Sequence, residues 1–176
     1  MTTPSDHRLE RSYFLQDALQ VARSLPGKYL VLKNADRVHR YMITDVEVYR
    51  GEEDQASHAR RGRTPRTRIM YQRGGLLYIY LIYGMHWMLN IVTGEEGTPQ
   101  AILIRGLQSI NGPGRLTRQL GIDGTYNEED LISSPRIWLQ DNPASTGRII
   151  TRPRVGIDYA GKKWREKPWR FILQDD

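Results

Sequence analysis

A succession of apolar segments with the length and alternation of β-strands is the feature that most constrains the fold of this chain. Leu76–Tyr83 has the strongest strand character, and Met88–Thr93 and Ala101–Leu107 follow it. Val38–Tyr49 is a longer segment of the same kind, and Tyr29–Lys33 precedes it. These segments predict that a sheet forms the main element of the fold.

Helical spacing is confined to short stretches. Tyr13–Ser24 carries apolar residues at helical spacing and is stopped by Pro26-Gly27. Gly112 opens a second predicted helix that ends at Leu120, and Asn127–Ile132 is predicted to begin a third. Strands therefore dominate the middle of the chain, with short helices before and after them.

The last third of the chain has weaker patterns. Residues 133–153 are rich in turn residues, and Arg154–Ile157 and Trp169–Leu173 are predicted as closing strands. This order of elements predicts an α+β fold, a single domain over residues 12–176 with a curved, largely antiparallel β-sheet surrounded by short helices. Residues 1–11 are predicted to be a flexible N-terminal tail.

Residue types that are absent or rare exclude several kinds of chemistry. The chain has no cysteine, so disulfides, thiolate-bound zinc and a cysteine nucleophile are excluded. None of its four histidines forms an i, i+4 pair, and we expect no metal and no cofactor. The longest apolar run, Leu76–Met85, is too short to span a bilayer, and the polar N-terminus has no export signal. We therefore expect no membrane attachment.

Positive charge is concentrated in one loop. The net charge is +6, and Ala59–Arg73 contains no acidic residue but six arginines: Arg60, Arg61, Arg63, Arg66, Arg68 and Arg73. Forked guanidinium groups suit phosphate, and the ten tyrosines and four tryptophans suit stacking on bases. A nucleic-acid partner explains this pattern, although a solvated loop on a basic protein is the simpler alternative.

Polar residues interrupt the predicted strands at a few positions. Strand alternation puts Asp45, Glu47 and Tyr49 on one face, where a partly desolvated carboxylate would be a better base near neutral pH. Arg105 and Asn90 interrupt two other apolar strands. A solvent-facing sheet edge, a structural ion pair and a satisfied backbone group explain these three signals equally well when each is taken alone.

Tyr83 is out of phase with the other tyrosines of its strand and immediately precedes Gly84. An aromatic side chain at such a strand end can project outward as a wedge between base steps. The alternative is an ordinary half-buried strand tyrosine.

Longer motifs carry a specific resemblance. Residues 45–58 (DVEVYRGEEDQASH), 61–66 (RGRTPR), 77–90 (LYIYLIYGMHWMLN) and 102–105 (ILIR) resemble, in this order, the motifs of alkyladenine (3-methyladenine) DNA glycosylases of the bacterial type. The segments 112–116 (GPGRL), 154–161 (RVGIDYAG) and 167–171 (KPWRF) continue the match. The similarity covers residues 12–173.

The resemblance implies a role for each matched position. Glu47 takes the place of the general base that activates the attacking water, and Arg105 helps to hold that water. The implied base pocket consists of Tyr49, Ala56, His58, Tyr80, Asn90 and Val155. Tyr83 is the implied intercalating wedge, and the implied flanking DNA contacts are Met70 and His86. The implied phosphate contacts are Arg61, Arg63, Thr64, Arg66, Arg68 and Arg115, the last replacing the usual lysine of the family.

The expected activity is that of a monofunctional glycosylase. It would flip 3-methyladenine, other alkylpurines, hypoxanthine or ethenoadenine from duplex DNA, hydrolyse the N-glycosidic bond and so initiate base excision repair. Lys28, Lys33 and the Lys162–Lys167 cluster do not lie in the core motifs, so we expect no AP-lyase activity. Asp45 is an alternative candidate for a second catalytic carboxylate. We expect a monomer in the cytoplasm, associated with the nucleoid in a bacterial cell. The alternatives are a non-catalytic nucleic-acid-binding domain and a small-molecule N-glycosidase.

Overall fold

The computed structural model describes residues 7–174 and confirms the prediction of an α+β fold. Within these residues a nine-stranded antiparallel sheet is accompanied by four short α-helices. The strands are β1 (Tyr29–Asn34), β2 (Arg37–Arg50), β3 (Leu77–Ile82), β4 (His86–Val92), β5 (Gln100–Leu107), β6 (Ile110–Asn111), β7 (Ile137–Gln140), β8 (Arg148–Arg152) and β9 (Arg170–Gln174). The α-helices are α1 (Arg11–Phe14), α2 (Ala18–Ser24), α3 (Pro113–Leu120) and α4 (Lys162–Arg165). The 3₁₀ helices cover His58–Arg61, Thr67–Tyr71, Gly124–Tyr126 and Asp158–Ala160.

The long strand β2 organises the sheet. The main strand order is β3-β4-β5-β2-β1-β7, while β9 pairs with both β2 and β8, and β6 pairs with β5. The first part of β2 pairs with β1, and its second part lies between β5 and β9, where Glu47 is opposite Leu103 and Arg170. The pairing of β2 with β5 shifts register between Ile43 and Val46. Such a bulge bends a strand, and here it occurs just before Glu47 and Tyr49.

Alternation along the strands separates a core face from a cavity face. The core face is fully or nearly fully buried beneath α2 and α3, and its central residues are Val46, Val48, Leu77, Ile79, Leu89, Ile91, Ile102 and Ile104. The intervening residues of the same strands point to the opposite side. They include Glu47, Tyr49, Tyr78, Tyr80, Met88, Asn90, Leu103 and Arg105, all of which line a cavity.

The helix predicted over Tyr13–Ser24 is wrong as one element, because it is divided into α1 and α2. Asp17 is the N-cap of α2, and its carboxylate accepts a hydrogen bond from the backbone N–H of Leu19 at 3.0 Å. A capping side chain of this kind satisfies a free N–H group and starts a new helix. The apolar spacing of the segment is helical, but capping by Asp17 begins a separate helix at Ala18.

The helix predicted for Asn127–Ile132 is also wrong. Its backbone bonds to the edge of the sheet instead, since the Glu128 N–H donates to the Leu77 carbonyl at 2.8 Å and the Leu77 N–H donates to the Glu129 carbonyl at 2.9 Å. Glu128 also has a φ of 69°, which is incompatible with an α-helix.

Two further sequence predictions in the last third of the chain need correction. Arg154–Ile157 is not a strand, because the Val155 N–H donates to a side chain rather than to a sheet partner. The strands β7 and β8 lie inside the stretch 133–153, which was predicted to be loop-rich. They are short, and β7 pairs with β1, more than 100 residues earlier in the chain.

Of the tail predicted for residues 1–11, residues 1–6 lie outside the described residues. The Leu9 N–H donates to the Leu139 carbonyl at 2.9 Å, and α1 begins at Arg11. Between residues 7 and 174, no helix has the length and apolar character needed to cross a bilayer.

Candidate active site

A cavity of about 340 Å³ opens on the face of the sheet opposite the core. Strands β2, β3, β4 and β5 form its floor, and residues 155–159 form part of its rim. Every residue predicted for catalysis and for the base pocket lines this cavity, as do Met70 and Tyr83; the set is Glu47, Tyr49, Ala56, His58, Met70, Tyr80, Tyr83, Asn90, Arg105 and Val155. One concave surface therefore brings together residues from distant parts of the chain.

Glu47 is fully buried and has a donor on each carboxylate oxygen. The Val155 N–H donates to Oε1 at 2.7 Å, and the Tyr49 hydroxyl donates to Oε2 at 2.9 Å. The contact with Tyr49 agrees with the predicted alternation along β2. An ionised carboxylate accepts about four hydrogen bonds, so Glu47 keeps capacity for a further donor.

Two arginines, Arg105 and Arg170, lie close to the carboxylates of Glu47 and Asp45. The Arg105 guanidinium lies 3.6 Å from Glu47 Oε1 through Nη1 and 3.8 Å from Asp45 Oδ2 through Nε. Arg170 binds Asp45 more closely, with Nη2 2.7 Å and Nε 3.0 Å from its oxygens. Asp45 does not line the cavity, and its carboxylate instead accepts hydrogen bonds from Arg170.

Burial dominates the electrostatics of the carboxylate. Desolvation raises the pKa of Glu47, while Arg105 and the hydrogen bonds from Val155 and Tyr49 act in the opposite direction. Burial also raises the pKa of Tyr49 well above its ordinary value, with the charge of Glu47 adding to the effect. Tyr49 therefore keeps its hydroxyl proton and remains a hydrogen-bond donor to Glu47 at neutral pH.

Aromatic side chains form one wall of the cavity. The rings of His58 and Tyr80 are 4.6 Å apart, and those of Tyr78 and Tyr80 are 5.1 Å apart. His58 Nδ1 is hydrogen-bonded to the Tyr78 hydroxyl at 2.8 Å. Burial, followed by the charges of nearby arginines, lowers the pKa of His58 to about 4, so the ring is neutral at physiological pH. The Tyr78 hydroxyl therefore orients the His58 ring.

Asn90 is buried at the floor of the cavity. Its Nδ2 donates to the backbone carbonyls of Tyr78 at 3.1 Å and Met88 at 3.4 Å. These two hydrogen bonds hold the amide nitrogen of Asn90 against β3 and β4 and so fix the orientation of the side chain in the cavity.

Tyr83 stands at the tip of the β3–β4 hairpin and is 89% exposed. Its φ is 50° and that of Gly84 is 64°, so two successive residues adopt the left-handed conformation that turns the chain tightly. His86 begins β4, is half-buried and lies outside the cavity lining. It packs so closely against α3 that a Cβ added to Gly114 would lie 3.1 Å from its ring.

The arginine-rich segment Ala59–Arg73, the arginine loop, contributes a second cavity of about 320 Å³ beside the first, and His58 lines both. Its other lining residues are Arg60, Arg61, Thr64, Arg66 and Thr67. The loop is held by Thr67, whose Oγ1 donates to the Gly62 carbonyl at 2.9 Å and accepts from the Thr64 N–H at 2.8 Å. Arg61, Thr64 and Arg66 thus lie together at one cavity, and their contacts with phosphate stay a prediction.

The other predicted phosphate contacts are not part of this cavity. Arg63 lies over the ring of Tyr71 at 5.8 Å, and Arg68 forms an ion pair with Glu128. Arg115 is exposed on α3 and lines neither cavity.

A buried ion pair that was missed in the sequence supports the rim. Arg154 Nη1 and Nη2 contact the two oxygens of Asp54 at 2.7 and 3.0 Å, and both side chains are fully buried. The guanidinium also lies 4.9 Å from the ring of Tyr49. Arg154 precedes Val155, so the pair holds the segment whose N–H reaches Glu47. No local signal identified this pair, because its partners are 100 residues apart.

Comparison with known proteins identifies the family of this chain. The methylpurine-DNA glycosylase family matches residues 12–112 and 108–176. A protein of Borrelia garinii subsp. bavariensis, named as a candidate 3-methyladenine DNA glycosylase, is 41% identical over 180 residues, covering 96% of this chain and 97% of the relative. Relatives with the same name from Desulfitobacterium hafniense and Legionella pneumophila are 39% and 38% identical, and each match covers 96% of both chains. The chain therefore belongs to the methylpurine-DNA glycosylase family.

Proposed function

We propose that this chain is a monofunctional DNA glycosylase that removes damaged purines, 3-methyladenine among them, with a water molecule activated by Glu47. Family membership supports the broader assignment, a hydrolase that acts as a DNA glycosylase. The observation that carries the finer proposal is the geometry of Glu47. It is a buried carboxylate on a cavity floor, held by donors from Tyr49 and Val155 and flanked by Arg105.

The chemistry needs one general base and a group that stabilises the positive charge developing on the sugar. Water adds to the sugar C1′, Glu47 accepts the proton of that water, and the C1′–N bond breaks with its electron pair leaving on the purine. A carboxylate near C1′ also stabilises the oxocarbenium character of the transition state. A cationic alkylpurine departs as a neutral base, so it requires no separate acid. Arg105 orients the water, and its positive charge favours the ionised form of Glu47 against the effect of burial.

The aromatic wall suits a base that has left the stack. The reacting carbon is inaccessible inside a duplex, so the nucleotide must be extruded at a cost of a few kcal/mol. Stacking on aromatic side chains returns about 1–3 kcal/mol per base. His58 is neutral and does not repel a cationic purine, and the tyrosine faces attract one.

The exposed Tyr83 supports a wedge role. Its position at a tight hairpin tip beside the cavity allows it to occupy the space left by the flipped base. Arg61, Thr64 and Arg66 would bind phosphates close to that nucleotide, since their cavity adjoins the base pocket through His58. Met70 lies inside the pocket, where it would contact the base or its neighbour.

The decisive experiment measures base release from duplexes that carry 3-methyladenine, hypoxanthine or ethenoadenine, detected as alkali-labile abasic sites. Glu47→Gln is expected to bind these duplexes but to release base at least about 100-fold more slowly, because a general base contributes roughly 10²- to 10⁴-fold. Glu96→Gln, at an exposed position between β4 and β5, is the matched control and should behave like wild type. Absence of release by wild type from every duplex, or normal release by Glu47→Gln, contradicts the proposal.

A second measurement tests the monofunctional part of the proposal. A lyase needs an amine to form a Schiff base with the sugar. The described residues that line the two adjoining cavities supply one carboxylate and four arginines but no lysine. Borohydride added during turnover is therefore expected to trap no covalent protein–DNA adduct, and a trapped adduct would overturn this part.

A further inference from the structure

We propose that a basic surface formed by Lys162, Lys163, Arg165 and Lys167 binds the phosphodiester backbone of the duplex that flanks the lesion. We call this the α4 surface. The inference rests on the proposed function for the identity of its partner, and it assigns a role to a charged segment that the catalytic site does not use.

The position of the α4 surface follows from the chain that precedes it. Val155, Gly156, Ile157 and Tyr159 line the rim of the cavity, and α4 begins three residues after Tyr159. Trp164 is buried against Ala56 and Ile157 and fixes the helix to the pocket wall. The α4 surface is therefore a rigid continuation of the rim.

The charges of this surface are available to a partner. Within residues 7–174, Lys162, Lys163 and Lys167 form no ion pair. Arg165 has only a long contact of 3.8 Å with Asp158, whose side chain is 88% exposed. Other basic residues of the fold, such as Arg136 and Arg170, are instead bound closely to carboxylates.

Aromatic rings hold two of the lysines in place. The ammonium group of Lys163 lies 5.0 Å from the ring of Trp164, and that of Lys167 lies 4.8 Å from the ring of Trp169. Such contacts restrict the side chains while leaving their charge unneutralised. A phosphate group would then meet donors that are already ordered.

The α4 surface also continues the basic surface of the arginine loop. The guanidinium of Arg60 lies 5.3 Å from the ring of Tyr159, which joins the second cavity to the rim. The two basic surfaces are thus adjacent at the same cavity mouth and carry the same sign of charge. An extended polyanion that presents one nucleotide to the cavity would contact both, and a DNA duplex has this shape.

The test compares two double variants by the salt dependence of binding to an undamaged duplex. Lys162→Gln/Lys163→Gln removes two exposed charges from the α4 surface, and Lys33→Gln/Arg37→Gln removes two exposed charges at the β1–β2 turn. The β1–β2 turn is remote from the active site, since Arg37 and Glu47 are ten residues apart on β2, a distance of roughly 30 Å. The slope of log K against log salt is expected to become shallower by about 1.8 for the first variant, at about 0.9 per phosphate contact, and to stay as in wild type for the second. Lys162→Glu/Lys163→Glu should weaken binding further.

The outcomes separate this inference from the proposed function. Base release by wild type, together with equal slopes for wild type and Lys162→Gln/Lys163→Gln, would overturn the α4 surface alone. A shallower slope for that variant, with no base release by wild type, would retain DNA binding at α4 and overturn the glycosylase proposal. Equal losses of slope in both double variants would indicate a general effect of net charge and would also overturn the α4 surface.

Discussion

Removal of Arg154 tests whether the rim of the active site depends on its buried ion pair. Asp54 accepts hydrogen bonds from Arg154 and from the backbone N–H groups of Arg50 and Ala56, and it is fully buried. Arg154→Met leaves this carboxylate without its counter-charge. Breaking a buried pair in this way costs about 3–5 kcal/mol. For a domain of this size, this loss corresponds to a fall in Tm of roughly 6–20 °C.

Arg68→Met is the matched control for this substitution. Arg68 also pairs with a carboxylate, Glu128, but the two side chains are 48% and 39% exposed. An exposed pair contributes about 0–1 kcal/mol, so the control should remain close to wild type. Denaturant unfolding followed by circular dichroism gives both free energies of unfolding, provided that the m-values agree.

An Asp54→Asn background sharpens the measurement. In that background Arg154→Met should cost clearly less than it does in wild type, because no buried carboxylate is left unpaired. Base release should also fall in Arg154→Met, since the segment that brings the Val155 N–H to Glu47 loses its anchor. If Arg154→Met costs no more than Arg68→Met, or costs the same in both backgrounds, the reasoning is refuted.

Three further predictions concern acidity, arginine placement and a buried hydroxyl. With a cationic alkylpurine, whose charge does not titrate, kcat/KM should fall as the pH falls through the pKa of Glu47, because the protonated carboxyl cannot act as a base. The midpoint of this fall should lie above the ordinary value of 4.5, since burial raises the pKa of Glu47. A midpoint at or below 4.5 contradicts the assignment of Glu47 as the base. Arg170→Met should lower kcat by about 10-fold or more and shift the pH profile of kcat/KM, because Asp45 would then draw Arg105 away from Glu47. Arg170→Lys should restore part of the rate. An unchanged pH profile in Arg170→Met would show that Arg170 has only a structural role. Thr93→Val should raise the free energy of unfolding by roughly 1 kcal/mol, since its buried Oγ1 has no hydrogen-bond partner within residues 7–174, and a loss measured by denaturant unfolding would show that this hydroxyl is satisfied.

Local patterns in the sequence were sufficient for much of the fold. Alternation along Val38–Tyr49 correctly put Glu47 and Tyr49 on one face, because side-chain direction in a strand depends only on the strand itself. The same argument correctly identified β3, β4 and β5. The resemblance to the glycosylase family then selected Glu47 and Arg105 from among many polar strand residues.

The sequence predictions failed where non-local contacts or capping decided the structure. Asp17 divides the first helix by capping, and Glu128 bonds to a strand edge instead of continuing a helix. The short strands β7 and β8 have no strong pattern of their own and depend on their partners β1 and β9.

The sequence by itself determined which side chains share a face and which family the chain belongs to. Only the tertiary structure decided what surrounds Glu47. The Val155 N–H that binds Glu47 is 108 residues away in the chain, and Arg170 is 125 residues away from Asp45, with which it pairs. Strand register and loop closure bring these groups together, and neither is encoded in any short segment. Because burial and hydrogen-bond donors set the acidity of a carboxylate, these long-range contacts decide the pKa of Glu47.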